Sequence, residues 1–155
     1  MKLSTKGRYA VTAMMDLAIH SGRGPVTLSD ISQAQAISLS YLEQIFAKLR
    51  KAGLVEGVRG PGGGYRLSRP AEEISIASVV DAVGEGMDVT RCGAQGGCQD
   101  GRNCLTHDLW QELSRKIFEF LDGISLADYS ARPEVQETAR MQDEIRGRGE
   151  AVPFV

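Results

Sequence analysis

The sequence lacks the features that mark membrane and exported proteins. No run of 18 apolar residues occurs along its 155 positions, so nothing predicts a membrane-spanning helix. The N-terminal stretch MKLSTKGRY has no apolar centre of the kind that signal peptides contain. We therefore expect a soluble, cytoplasmic protein without a membrane partner.

Motifs of the common enzyme classes are missing as well. The chain has no Ser/His/Asp set, no paired carboxylates in an apolar setting and no Gly-Lys-Ser/Thr phosphate loop. Its three cysteines cannot form a complete set of disulfides, and clustered cysteines in a cytosolic chain indicate metal or redox chemistry. The prediction is a protein that is not an enzyme.

The chain is nearly neutral overall, but its two halves carry opposite charge. Residues 1–70 contain ten Lys and Arg against four Asp and Glu, whereas residues 71–155 contain eight against sixteen, for a net charge of −2. A basic front half on an acidic protein favours an anionic partner that meets only that half, although chance sorting of solvated charge is the alternative.

Apolar periodicity predicts three helices in the first third of the chain. Residues 5–20 and 28–36 each place apolar side chains on one helical face. A turn over residues 38–40 then leads into a third helix, for which Ser40 and Glu43 have the spacing of a capping box. A glycine ends that helix.

Two short apolar segments follow and predict a hairpin. They cover residues 54–58 and 65–67 and flank the glycine-rich tip RGPGGG at 59–64. Ser75 is expected to begin a further helix. Helix, helix, turn, helix and hairpin in this order predict a mainly α fold with a small β-hairpin, in which residues 1–83 form a winged helix-turn-helix DNA-binding domain.

The polar face of the third helix and the glycine-rich tip are the candidate DNA-binding elements. Side chains near the start of a recognition helix reach base edges in the major groove. Gln44 can pair with adenine and Glu43 can accept from cytosine, although Glu43 could instead be the capping partner of Ser40. Arg59 can enter the minor groove, although a tight hairpin with a solvated arginine would also explain it. The candidate set is Ser38, Ser40, Tyr41, Glu43, Gln44, Lys48, Arg59 and Gly60.

All three cysteines and one of the two histidines lie in one glycine-rich loop, residues 84–108. The spacing is Cys92-x5-Cys98-x5-Cys104-x2-His107, a set of four soft ligands that suits either tetrahedral zinc or an iron–sulfur cluster. Zinc sites usually contain tight Cys-x2–4-Cys pairs, which this loop lacks. Long, glycine-rich spacers suit a larger group, and three incidental thiols are the remaining alternative.

A long amphipathic helix is predicted after the cysteine loop, over residues 106–123. Its apolar stripe is wider than a small winged domain needs, which favours a symmetric dimer interface over packing within the chain. The stripe consists of Leu109, Trp110, Leu113, Ile117, Phe120 and Leu121. Residues 131–155 are polar and charged, and we expect them to form a disordered tail.

Four parts of the sequence together resemble the IscR family of bacterial transcription regulators, which carry an iron–sulfur cluster. They are LSTKGRYAVTAM, SLSYLEQIF, the tip RGPGGGY, and the Cys92, Cys98, Cys104 and His107 set followed by a long helix with Trp110. The similarity covers roughly residues 1–125, and the specificity of these motifs comes from their occurrence in the same order.

The resemblance implies a homodimer that binds a double-stranded DNA operator and acts as a repressor of cluster-assembly genes and as a regulator of others. It implies a [2Fe-2S] cluster on the three cysteines and His107, supplied by the iron–sulfur assembly machinery. Base contacts would fall on Ser40, Glu43 and Gln44, and a minor-groove contact on Arg59. A winged-helix regulator with structural zinc and an iron–sulfur carrier are the alternatives.

Overall fold

Seven α-helices and one two-stranded sheet make up the part of the chain that the structure describes, residues 3–90 and 96–148. The structure is a computed structural model. In chain order the elements are α1 (Thr5–Ile19), α2 (Leu28–Gln35), α3 (Leu39–Lys51), β1 (Val55–Val58), β2 (Gly64–Leu67), α4 (Ile76–Ala82), α5 (His107–Asp122), α6 (Leu126–Ser130) and α7 (Pro133–Arg148). The predicted fold class, mainly helical with a small hairpin, is confirmed.

The helix-turn-helix consists of α2 and α3, joined by a tight turn. Ala36 adopts a left-handed conformation there, with φ of 56°, and the Ser32 hydroxyl donates to the Ile37 carbonyl at 2.6 Å. Ser38 caps α3, and its side chain accepts from the Tyr41 amide at 3.3 Å. The predicted capping box of Ser40 and Glu43 is therefore wrong, because the cap lies two residues earlier and Ser40 is inside the first turn.

The hairpin of β1 and β2 is antiparallel, with Val55 opposite Leu67 and Val58 opposite Gly64. Val26, which precedes α2, adds a third short segment, because its amide and carbonyl both bond to Tyr65, at 2.9 and 2.7 Å. The backbone of Gly64 lies so close to this segment that a Cβ there would be 2.4 Å from the Val26 carbonyl oxygen. The β1–β2 hairpin, which is the wing of the fold, is thus hydrogen-bonded directly to the segment that leads into the helix-turn-helix.

One hydrophobic core lies between α1, α3 and α4. Its largest members are almost completely inaccessible to solvent, and each buried side chain of this size contributes roughly 1.5–3 kcal/mol. They include Met14, Leu17, Leu42, Ile45, Phe46, Leu49 and Val79. Leu126 joins this core from α6, next to a bridge between Ser75 and Ser125. The core fixes the apolar face of α3 and leaves its polar face outside.

The last described helix, α7, differs from the disordered tail expected over residues 131–155. It packs on α2 through a polar network rather than through a large apolar face, which explains why its composition predicts disorder. The side-chain amides of Gln35 and Gln142 bond to each other twice, at 2.9 and 3.0 Å. His20 Nε2 lies 2.7 Å from Asp143 Oδ1. Residues 149–155 lie outside the described part of the chain.

Among the described residues, no helix is both long enough and apolar enough to cross a membrane.

Candidate nucleic-acid interface and metal centre

The outer face of α3 exposes most of the side chains that the sequence selects for DNA contact. Ser38, Ser40, Glu43, Gln44 and Lys48 are exposed. The apolar residues of the same helix, by contrast, are almost fully buried. Because Ser38 caps α3, Glu43 is not the capping partner of Ser40, the alternative role that the sequence left open for it. The face is mainly polar and open to solvent, with the apolar side chains of Leu39 and Ala47 exposed among the polar ones.

Tyr41 is the half-buried member of the predicted set. Its ring packs edge-on against Tyr9 of α1, with centroids 5.8 Å apart and an interplanar angle of 88°. This contact holds the first turn of α3 against α1. The geometry restricts the orientation of the Tyr41 ring.

The tip of the wing contains exposed Arg59 and Gly60. The Gly63 amide donates to the Gly60 carbonyl at 2.9 Å, which closes the tip into a turn. A Cβ at position 63 would be 2.3 Å from the Val58 carbonyl oxygen, so the turn requires glycine there. The tip presents backbone and one arginine side chain to the exterior, which suits close approach to a nucleic-acid backbone.

The cysteine loop brings two of the predicted ligands into contact. Cys98 Sγ lies 3.6 Å from His107 Nδ1, and the Cys104 amide donates to Cys98 Sγ at 2.9 Å. Cys92 lies outside the described residues. In residues 3–90 and 96–148, no three His, Cys, Asp or Glu side chains lie close enough together to hold a metal ion.

The two described cysteines and His107 share one cavity of about 610 Å³ at the base of α5. It is lined by Val89, Thr90, Cys98, Gln99, Cys104, Thr106, His107 and Trp110. The side chain of Cys98 lowers the pKa of the Cys104 thiol below its usual value, burial opposes this, and hydrogen bonds to Thr106 add to the lowering. Thiol and imidazole are the donor types that a thiophilic metal or an iron–sulfur cluster takes, so the chemistry of these three side chains suits such a group.

Several contacts connect this cavity to α5. His107 is the first residue of the helix and its amide donates to the Cys104 carbonyl at 3.2 Å, so the turn between these two predicted ligands is formed. Thr106 occupies the cap position, but its hydroxyl accepts from the Trp110 indole at 2.9 Å instead of capping. On the other side, the Val89 amide donates to Ser114 Oγ at 2.8 Å. Sequence reasoning missed Ser114, because a polar side chain in an amphipathic helix carries no signal.

Most of the predicted dimer stripe on α5 is exposed. Leu109, Trp110, Leu113 and Phe120 are between 40% and 66% exposed. Ile117 is half-buried. Leu121 differs from the expectation, because it packs against the core of its own chain. An amphipathic helix with this much apolar surface in water is typical of an interface.

The chain matches the sequence model of the Rrf2 family, described as "Iron-dependent Transcriptional regulator", over residues 3–132. The chain belongs to the Rrf2 family. This match spans the helix-turn-helix, the wing, the cysteine loop and α5.

Individual relatives agree with this assignment. The protein ORF2 of Azotobacter vinelandii is 60% identical over 99% of this chain and 94% of its own length. The HTH-type transcriptional regulator IscR of Aliivibrio salmonicida is 58% identical over 92% of this chain and 85% of its own. The solved structure of T. potens IscR is 41% identical and has a TM-score of 0.69, covering 83% of this chain and 85% of that one.

A second solved structure, CymR, the global cysteine regulator of B. subtilis, is 32% identical with a TM-score of 0.75 and covers 84% of this chain and 97% of that one. The predicted resemblance is confirmed, and the chain is an IscR-type transcriptional regulator of the Rrf2 family rather than an enzyme.

Proposed function

We propose that this Rrf2 protein is a homodimeric, cytoplasmic repressor and activator that senses a [2Fe-2S] cluster and controls genes of iron–sulfur cluster assembly. The observation that carries the proposal is the contact of Cys98 with His107 at the base of α5, on a chain that also exposes the polar face of α3. Relatives named IscR support the same assignment.

DNA recognition is assigned to α3 and the wing. Gln44 suits adenine and Glu43 suits a cytosine amine, and each good pair of this kind contributes about 1–3 kcal/mol of discrimination. Ser38, Ser40, Tyr41 and Lys48 suit phosphates, and Arg59 with Gly60 suits the minor groove. The exposure of these residues, half-buried Tyr41 excepted, supports this assignment.

The cluster ligands in this proposal are Cys92, Cys98, Cys104 and His107. Cys98, Cys104 and His107 line one cavity, and His107 is buried beside Cys98, which supports its place among the ligands. The bound cluster would serve as the signal, because the protein would gain or lose it as iron supply and oxidation change. The iron–sulfur assembly machinery is the expected donor.

Coupling to DNA is assigned to α5. Two hydrogen bonds attach the loop to the first two turns of this helix. One joins the Trp110 indole to Thr106, and the other joins the Val89 amide to Ser114. In a homodimer that pairs along α5, the position of these turns determines the separation of the two α3 helices. A coupling of about 1–3 kcal/mol is enough to change operator choice.

The decisive experiment combines absorption spectroscopy with DNA binding. Protein purified without oxygen should show visible absorption from a [2Fe-2S] centre, and its operator preference should change after exposure to air. A colourless protein that contains zinc would contradict the cluster and indicate a structural metal site. A coloured protein without sequence-selective, salt-sensitive DNA binding would indicate an iron–sulfur carrier instead.

A substitution of Cys104 separates a sensing site from a structural one. Because the core lies in α1, α3 and α4, Cys104→Ala should abolish visible absorption and leave the circular dichroism spectrum and thermal unfolding of the protein unchanged. Cys104→Ser is the conservative control. Loss of folding in both variants would mean that the bound metal is a structural one.

A further inference from the structure

The segment that leads into the cysteine loop is hydrogen-bonded to the second turn of α5. The Val89 amide donates to Ser114 Oγ at 2.8 Å. The single proton of the Ser114 hydroxyl can be donated to Asp88 Oδ1, at 3.2 Å, or to the Trp110 carbonyl, at 2.9 Å. The helix therefore contacts two adjacent residues of the segment through one hydroxyl group.

Asp88 also fixes the residue that follows Val89. Asp88 Oδ1 accepts from the Thr90 amide at 2.8 Å and from the Thr90 hydroxyl at 2.6 Å. One carboxylate oxygen thus meets both Thr90 and Ser114. We refer to Asp88, Val89, Thr90 and Ser114 as the latch, because their hydrogen bonds hold residues 88–90 against α5.

The latch forms part of the wall of the cavity that contains the predicted ligands. Val89 and Thr90 line this cavity together with Cys98, Cys104 and His107. In the described part of the chain, residues 88–90 belong to no helix or strand. Their position therefore depends on side-chain bonds such as those of the latch.

We propose that Asp88 and Ser114 position this wall and thereby slow the release of the metal group that Cys98, Cys104 and His107 bind. The inference rests on the proposed function, in which that group is a [2Fe-2S] cluster, and it assigns two positioning residues to the site. When the latch opens, residues 88–90 can move away from α5, and the thiols that share the cavity become accessible to water and to chelators.

The exposure of the latch sets the size of the expected effect. Asp88 is exposed and Ser114 is half-buried. A lost hydrogen bond in such a position should change the rate of release about two- to tenfold. Neither residue belongs to the hydrophobic core, and alanine is a good helix former, so Ser114→Ala should leave α5 and the fold intact.

The test follows the visible absorption of full-length, cluster-loaded protein after it is mixed, without oxygen, with an excess of an iron chelator. Wild type is compared with Ser114→Ala, Asp88→Ala and the double variant. Ser114→Thr is the conservative control, because it keeps the hydroxyl. Ser130→Ala is the matched control, because the Ser130 hydroxyl donates within its own helix, to the Ala127 carbonyl at 3.1 Å. Thermal unfolding of each variant shows whether the fold is retained.

Ser114→Ala and Asp88→Ala should each start with the visible spectrum of wild type and lose it about three- to tenfold faster. The double variant should be no faster than the quicker single variant, because either substitution opens the same latch. Ser114→Thr and Ser130→Ala should match wild type. A wild-type rate in Ser114→Ala, or two effects that multiply in the double variant, would overturn the inference.

The two proposals fail in different ways. If wild type contains zinc, the proposed cluster sensing is wrong, and the same variants are compared by the rate of zinc transfer to a chromophoric chelator; faster transfer from Ser114→Ala would support the latch. If wild type has the [2Fe-2S] spectrum and a cluster-dependent operator preference, but Ser114→Ala releases the cluster at the wild-type rate, the latch is wrong and the proposed function stands.

Discussion

Glu43 is the one acidic side chain of α3, and it is exposed among residues suited to phosphate and base contacts. A carboxylate near phosphates is repelled unless a base amine meets it, so Glu43 rejects some operators as much as it selects others. We expect Glu43→Ala to broaden operator choice in the protein without cluster. The measurement is a binding selection from a random pool of duplexes, carried out with the apo protein.

The control for this selection is Glu112→Ala, which removes an exposed carboxylate from α5 instead. It should select the same sequences as wild type. An unchanged set of sequences in Glu43→Ala would show that this carboxylate does not discriminate between operators.

Gly64 is the wing residue whose backbone lies against the segment that precedes α2. Its φ is 150°, and an added Cβ would lie 2.4 Å from the Val26 carbonyl oxygen and 3.0 Å from the Thr27 amide nitrogen. Gly64→Ala should therefore separate the hairpin from the start of α2 and lower the free energy of unfolding by about 2–3 kcal/mol. Urea denaturation measures this loss.

Gly62 provides the comparison for that loss. It also has a positive φ, of 73°, but its Cβ would meet nothing within 4 Å. Gly62→Ala carries the strain of the backbone without the contact to Val26. An equal loss in both variants would mean that conformational strain alone, and not the bond between the wing and Val26, accounts for the effect.

At the scale of elements, the sequence predicts best where local chemistry decides the structure. The hairpin falls within one residue of the predicted segments, because glycines and β-branched residues mark its ends. The start of α3 is predicted two residues late, since Ser38 and Ser40 are both good caps and only tertiary packing selects between them. The exposure of the candidate DNA contacts follows from the buried face of α3, whereas their roles stay predictions.

α7 shows why other elements could not be predicted. Its attachment depends on Gln142 and Asp143, which meet Gln35 and His20 more than 100 residues away in the sequence. Asp16 of α1 completes the network, because its Oδ2 accepts from the side-chain amide of Gln35 at 2.9 Å. Polar contacts between distant positions leave no periodic pattern, so composition alone suggested disorder.

The network gives the docking of α7 a pH dependence. His20 lies between Asp16 and Asp143. The hydrogen bond to Asp16 is the main reason why the pKa of His20 is raised from 6.5 to about 9; burial opposes this rise, and the hydrogen bond to Asp143 adds to it. Arg23 pairs with the other oxygen of Asp143 at 3.2 Å. The folded pKa lies above the unfolded value, so the stabilisation is complete below pH 6.5 and disappears as the pH rises through about 9.

We therefore expect the unfolding free energy of wild type to fall by about 2–3 kcal/mol across this alkaline range. His20→Gln should start lower and lack the fall, as measured by urea denaturation at a series of pH values. Asp143→Asn, which removes the partner on α7, should show a smaller fall than wild type. Parallel pH profiles for wild type and His20→Gln would contradict the assignment to this imidazole.

At the scale of the whole molecule, the proposed regulator needs two copies. One chain presents a single α3, whereas an operator read by a symmetric dimer places two recognition helices on successive turns of DNA. The exposed residues of α5 are the surface that fits this role. Leu109, Leu113 and Phe120 lie on one side of the helix, and Arg115 lies opposite them.

Leu113→Asp should convert the protein to a monomer, because a carboxylate buried in an apolar interface without a partner costs several kcal/mol. Sedimentation equilibrium measures the mass, and DNA binding should weaken at least tenfold as one half-site is lost. The matched control, Arg115→Asp, places the same carboxylate on the opposite side of α5 and should remain dimeric. Because the core involves α1, α3 and α4, the monomer should stay folded and keep weak, salt-sensitive binding to DNA. A Leu113→Asp protein that still sediments as a dimer would place the interface elsewhere and remove α5 as the connection between the cysteine loop and the two recognition helices.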